Sequence, residues 1–363
     1  MSCRGWSSDA YWAARIATEL DRAGHRVSLV CKRGSDARVI DRARAIGAPG
    51  RETLGFASGF RPGSDAADLR QILRWLPSTD VVHVHRGKEH WLAALANRLS
   101  STPRPLFRTR HIIQPVQSHP LNRWLYREAT SMVIAVTDAI RRQYVASELI
   151  DPARVVTLAG GVDLQRFHPK VDGASFRARL RLPDDVPVIG LVAGFRAMKG
   201  HGVVLEAMAA LARGGRRFHL ALVGRGRLEA QIRKTVETAG LADRVTFLGF
   251  LEDLPRAIAA FDLALYPALE SEGMSRVLFE YLALARPVVA SRVGVVPEVL
   301  RDGETALLVP AGEAGPLAAA MDRLLAEPTL RERLGRAAAA LCAEDLSGAR
   351  VAERLASLYA RAA

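Results

Sequence analysis

The feature that most restricts this chain is an alternation carried through it twice: short apolar runs, rich in β-branched residues, separated by amphipathic helical periods. In the first half the runs are RVSLVC (26–31), VVHVH (81–85), LFRT (106–109), MVIAV (132–136) and VVTL (155–158). In the second they are VIGLVAG (188–194), HLALVG (219–224), VTFLG (245–249), DLALYP (262–267), PVVAS (287–291) and ALLVP (306–310). Stretches such as DAYWAARIATELDRAG (9–24) and WLAALANRL (91–99) carry helical spacing. Strands apolar on both faces and separated by helices form parallel sheets covered on both sides. Two such series predict an α/β protein of two doubly wound, Rossmann-like domains, and 363 residues suffice for two cores.

The pattern breaks near 164–186, where Pro, Gly and charge intrude. The predicted division is therefore 1–165 for the first domain and 166–346 for the second, with 347–363 as a closing helix. The chain opens on what reads as a first strand-end loop, CRGWSSD, followed at once by a helix. The expectation is a first strand lost to a misplaced start site, which would remove the central strand of the first sheet and expose apolar edges.

Composition narrows the setting. No apolar run reaches the ~18–20 residues that span a bilayer, and the polar MSCRGWSSD shows no leader pattern. Cys3, Cys31 and Cys342 are far apart, which argues against a disulfide framework or zinc site and for a reducing cytoplasm. The net charge of +13 is uneven: residues 1–170 hold 26 Lys+Arg against 15 Asp+Glu, and the remainder 25 against 23. An anionic membrane surface or an anionic acceptor fits that bias, as does simple solubility. The segment RPLFRTRHIIQPVQSHPLNRWLYR (104–127) interleaves Arg with Leu, Ile and Trp and suits an anionic surface. Nucleic acid is not an expected partner, because the basic residues are scattered and no DNA- or RNA-reading motif stands out.

The strongest local signal is ALESEGMSRVLFEYLALARPVVASRVGVVPEVL (268–300). Glu272 and Glu280 have seven residues between them, and a helix is expected to start near Ser275. Free amides at a helix N-terminus bind anions, and a sugar diphosphate suits that place. Glu272, in the preceding loop, can accept from sugar hydroxyls. Glu280 sits among Leu278, Phe279, Tyr281 and Leu282, so it is expected to be buried and to need a partner. A ribose diol is one such partner; a capping acid and a surface charge are the plainer readings. A second signal is GLVAGFRAMKGHG (190–202) at a strand end, where Gly194 admits a close backbone approach and Arg196 and Lys199 suit a diphosphate leaving group. Gly224 and Gly226, and the backbone around Leu248, Gly249 and Phe250, are further strand-end loops open to a ribose or base.

Together, the Glu-x7-Glu motif, RPVVAS, VGVVPEVL and GFRAMKGH resemble family 4 of the retaining glycosyltransferases, whose fold is the B-type pair of Rossmann-like domains facing across a cleft. AGHRVSLVC, DVVHVHRG, SMVIAVTDAIRR and AGGVDLQRFHP extend the resemblance over nearly the whole chain. It implies transfer of a sugar from a nucleotide-sugar donor to a hydroxyl with retention of configuration and no bound metal or other cofactor. By that resemblance Arg196 and Lys199 hold the diphosphate and Glu280 the ribose. Glu272, with the amides of Gly273, Met274 and Ser275 beside Val277, holds the donor sugar. The first loop departs from the family's Gly-Gly pattern at Gly5-Trp6-Ser7-Ser8.

His111 follows a strand end in FRTRHIIQP, where family members place a His facing the reacting sugar; His83, His85 and His90 are rivals. No carboxylate pair reads as a glycosidase dyad and no Asp-x-Asp metal motif occurs at a strand end. Catalysis is expected to rest on positioning and leaving-group stabilisation. The expected acceptor is a glycan or lipid-linked hydroxyl in cell-envelope polysaccharide or lipopolysaccharide assembly, and the expected place is the cytoplasm, including the inner face of its membrane. A sugar-nucleotide epimerase, a phosphorylase and a non-catalytic subunit on the same fold remain open at this point.

Overall fold

The structure, a computed structural model, describes every residue except Arg4, Ser271, Glu272 and Ala363, and every side chain but those of Asp36 and Ala37. Two compact units divide the chain. Unit 1 comprises Met1–Gly161 with Ser347–Ala363, and unit 2 is Val162–Leu346.

Unit 2 is built on one parallel sheet. Its strands are β7 (Val188–Val192), β8 (His219–Val223), β9 (Val245–Gly249), β10 (Leu263–Tyr266), β11 (Val288–Ser291) and β12 (Leu307–Val309), in the order β12-β11-β10-β7-β8-β9. The first strand thus lies mid-sheet, and the connection direction reverses between β7 and β10. The apolar strand residues are buried on both faces, with Ile189, Leu191, Leu220, Leu222, Leu263 and Leu265 in one large aliphatic cluster. Gly190 in β7 is required by packing. A Cβ there would lie 1.9 Å from the Phe261 ring.

In unit 1 the strands are β1 (Leu29–Lys32), β2 (Arg51–Leu54), β3 (Val82–Val84), β4 (Leu106–Arg110), β5 (Met132–Ala135) and β6 (Val155–Thr157). They form two parallel pieces, β1-β2 and β3-β4-β5-β6. β2, with the sequence RETL, has no apolar run and escapes a reading by hydrophobicity; its Arg51 and Glu52 are exposed. Met1 is tied to β1: its ammonium donates to the Val30 carbonyl and pairs with Glu89 at 3.3 Å. Met1, Cys3, Leu29 and Cys31 are all buried in one cluster, so the expected exposure of apolar edges does not arise at these residues. The helices that flank the strands include α1 (Ser8–Arg22) and α2 (Gly87–Leu99).

Unit 2 includes the helices α3 (His201–Arg213) and α4 (Arg276–Ala283), and α5 (Gly348–Ala362) is the closing helix. α5 belongs to unit 1, where it packs against α1. Among the described residues no helix is long and apolar enough to cross a membrane.

Candidate functional site

In an open parallel sheet, ligands bind beyond the carboxyl ends of the strands where the connection direction reverses. In unit 2 that place lies between β7 and β10, and both of the strongest sequence signals follow those two strands. The loop after β7 holds Gly194, Arg196 and Lys199; the loop after β10 leads into α4. The two loops are fastened together. Leu269 N–H donates to the Met198 carbonyl at 2.9 Å, and Gly200 (φ +70°) packs so tightly that a Cβ would lie 2.0 Å from the Pro267 oxygen. From α4, Tyr281 accepts the N–H of Val192 at 2.7 Å and pins the end of β7.

Arg196 is exposed and Lys199 half-buried, flanking a single 3-10 turn, Ala197–Lys199. Ser275 is the N-cap residue of α4, and its side chain makes no capping hydrogen bond. Gly273 has φ +92°, a backbone that side chains rarely adopt, and Met274 is buried. Glu272 lies outside the described residues.

Glu280 is 2% exposed. One carboxylate oxygen, Oε1, receives Arg276 Nε at 2.9 Å from the preceding turn of α4. The other, Oε2, is buried without a hydrogen-bond partner. Burial drives the Glu280 pKa up, and the charges of Arg276 and Arg166 oppose this. A buried carboxylate oxygen with no donor is costly, and a ligand hydroxyl would relieve it.

The loops after β8 and β9 are laced to the first. Gly224 N–H donates to the Gly249 carbonyl at 2.8 Å, and Phe195 N–H to the Arg225 carbonyl at 3.1 Å. A Cβ on Gly224 would lie 2.0 Å from the Ala193 oxygen. The Leu248 side chain packs against the small cluster of Phe176, Ala257 and Ala260, so only its backbone is left to meet a base. Phe250 is 60% exposed beside it.

Unit 1 places its histidines at the ends of adjacent strands. His83 lies in β3; His85 and His111 follow β3 and β4 directly. His85 Nδ1 and His111 Nε2 are 3.2 Å apart. The His83 and His85 rings stack at 4.8 Å between centroids, and Trp12 of α1 meets all three rings edge-on. Desolvation holds all three neutral: His83 is pushed down to about 3, His111 to about 4, and His85 well below its ordinary value. Asp9, at the start of α1, opposes the shift at His111 and is itself paired with Arg86 at 2.6 Å. Among the described residues no group of three or more His, Cys, Asp or Glu side chains is placed to hold a metal ion. His90 is buried and bonded to Thr130 at 2.8 Å, which makes it a structural residue.

The sequence matches two family descriptions, "Glycosyltransferase Family 4" over residues 10–166 and "Glycosyl transferases group 1" over 186–327. A D-inositol 3-phosphate glycosyltransferase of Nocardia farcinica is 31% identical over 92% of this chain and 82% of its own length. The chain belongs to glycosyltransferase family 4. It is therefore a transferase that moves glycosyl groups, on the GT-B fold. An alpha-D-kanosaminyltransferase of Streptomyces kanamyceticus is 32% identical over 66% of this chain, which spans 64% of that relative's length. In fold, the glycosyltransferase is similar to the Anabaena protein HepE in complex with UDP: TM-score 0.84, 19% identity, 99% of this chain and 98% of the other.

In the glycosyltransferase, unit 2 thus gathers Gly194, Arg196, Lys199, Met274, Ser275, Val277 and Glu280 on loops and a helix around one reversal point. Sequence reasoning missed Arg276, Arg166 and Tyr281 there, and Trp12, Asp9, Arg86 and Tyr359 in unit 1. Arg276 was findable, since it stands four residues before Glu280, the helical spacing for an ion pair. Tyr359 was not, because nothing local ties it to His83, 276 residues away.

Proposed function

We propose that the protein transfers a sugar from a nucleotide-sugar donor to an acceptor hydroxyl with retention of anomeric configuration. The observation that carries this reading is the buried Glu280 carboxylate, with Oε2 unpartnered, on the helix that starts beside the Lys199 loop. Glu280 takes the ribose diol. Arg196, Lys199 and the first amides of α4 take the diphosphate, whose negative charge grows as the bond to the sugar breaks. Glu272 and the amides of Gly273, Met274 and Ser275 hold the sugar itself, with Val277 beside them. Gly224, Leu248 and Gly249 lie against the base and ribose through their backbones. His111, a neutral imidazole, hydrogen-bonds a sugar hydroxyl.

The acceptor oxygen attacks the anomeric carbon from the face the diphosphate leaves. Its proton passes to a phosphate oxygen of the departing group, so the step needs no metal and no other cofactor. UDP in the HepE complex makes UDP-sugars the first donors to try. The acceptor we propose is a glycan or lipid-linked hydroxyl of cell-envelope polysaccharide or lipopolysaccharide assembly, in the cytoplasm. The basic first half supports peripheral contact with the anionic inner face of the membrane; Ile112 and Leu121 are exposed in its Arg-rich segment 104–127.

A panel of sugar nucleotides screened for thermal stabilisation tests the donor reading, because a ligand that binds only the folded state raises its melting temperature. One or more UDP-sugars should raise it. No stabilisation by any member, together with no release of nucleotide in the presence of acceptor glycans, would overturn it.

A further inference from the structure

We propose that His85 is a positioning residue for the transfer reaction: it fixes which ring nitrogen of His111 carries the proton. The inference rests on the reading of His111 as a group that meets the sugar, and deepens it. Both imidazoles are neutral, so a contact of 3.2 Å between His85 Nδ1 and His111 Nε2 holds a single proton. If His85 donates, His111 keeps its proton on Nδ1 and offers a donor there. If His111 donates, its Nδ1 is a bare acceptor. Either way the free nitrogen of His111 has one defined role toward a hydroxyl, where an isolated imidazole would sample both.

The partner can do this only if it is itself held. The His85 ring lies flat on His83, 17° from parallel. His83 is held at both nitrogens, by Thr109 Oγ1 of β4 at 2.7 Å on Nε2 and by the Tyr359 hydroxyl on Nδ1. Tyr359 comes from α5, so the last helix of the chain reaches the histidines through its phenol. Trp12 packs edge-on against all three rings.

The test uses the full chain labelled with 15N-histidine, whose long-range proton–nitrogen spectra report which nitrogen of each ring is protonated. Nine histidines are present, and the His111 signals are those lost in His111→Gln. The wild type should show one tautomer for His111 at neutral pH. His85→Phe should show a mixture, with kcat down roughly tenfold and affinity for UDP unchanged. Tyr359→Phe should move both readouts the same way by less, and keeps the test open if His85→Phe fails to fold. An unchanged His111 tautomer in either folded variant overturns the proposal. Wild-type turnover in His111→Gln would instead remove the role of His111 itself, and the positioning role with it, even where the tautomer responds.

Discussion

The two units share a strand–helix grammar but keep their polar groups in opposite ways. In unit 2 the core is almost wholly apolar, and among the described residues the side chains left buried without a hydrogen-bond partner are His201 and one oxygen of Glu280, both next to the reversal point of the sheet. In unit 1 charged and polar groups are spread through the interior: Arg15, Asp65, Asp68, Glu89, His90 and Arg108 are all buried. Its sheet is in two pieces, against one continuous sheet in unit 2. A continuous apolar sheet provides a stiff platform on which a few cations and one carboxylate can hold a charged group. Unit 1 instead presents a stack of neutral rings, and in the function proposed above their orientation and tautomer matter more than charge. On the proposed function, one fold separates charge stabilisation from alignment by how each half fills its core.

That division can be broken by experiment. Lys199→Ala should have the largest effect: loss of a donor aimed at the leaving group costs about 10²–10³ in kcat, with the fold kept. A variant turning over normally would take the leaving-group role away from unit 2. Next, Glu280→Ala should weaken UDP binding in calorimetry by about 2 kcal/mol, some thirtyfold, the worth of a hydrogen bond to a charged group. His111→Ala should leave UDP affinity alone; an equal loss there would erase the distinction between the units.

The smallest effect concerns acid. Unfolded histidine takes a proton near 6.5, whereas folded unit 1 keeps His83 neutral down to about 3 and His111 down to about 4, with His85 and His90 also depressed. Between those values the unfolded chain binds more protons, so the stabilisation is full above 6.5 and is lost as pH falls. Among the described residues of unit 2, His201 and His219 are in this class, and its Glu280, shifted upward, favours the fold at low pH instead. All five tryptophans (Trp6, Trp12, Trp75, Trp91, Trp124) lie in unit 1. Their fluorescence should therefore change at a higher pH than the far-UV circular dichroism of the whole chain during acid titration. Coincident transitions would show that the two units respond to acid alike.

Much of this was legible in the sequence because it is local. Parallel strands buried on both faces read as unbroken apolar runs, so eleven of the twelve strands among the described residues stand out, and only β2, exposed at Arg51 and Glu52, does not. The Lys199 loop and the Ser275 helix start were marked by Gly, charge and spacing over a few residues. The burial of Glu280 followed from its apolar neighbours in the helix, whereas its division into one paired and one unpaired oxygen did not.

The tertiary structure alone decided the rest. Strand order is a matter of pairing between distant segments, so only the folded chain sets β7 beside β10 and brings the two loops to the same point. Only the fold returns α5 to unit 1 and puts Tyr359 against His83, and only there do His85 and His111, which follow neighbouring strands, come within 3.2 Å of each other. Patterning along a chain fixes which face of an element is apolar; which elements then meet depends on contacts that no single stretch of sequence contains.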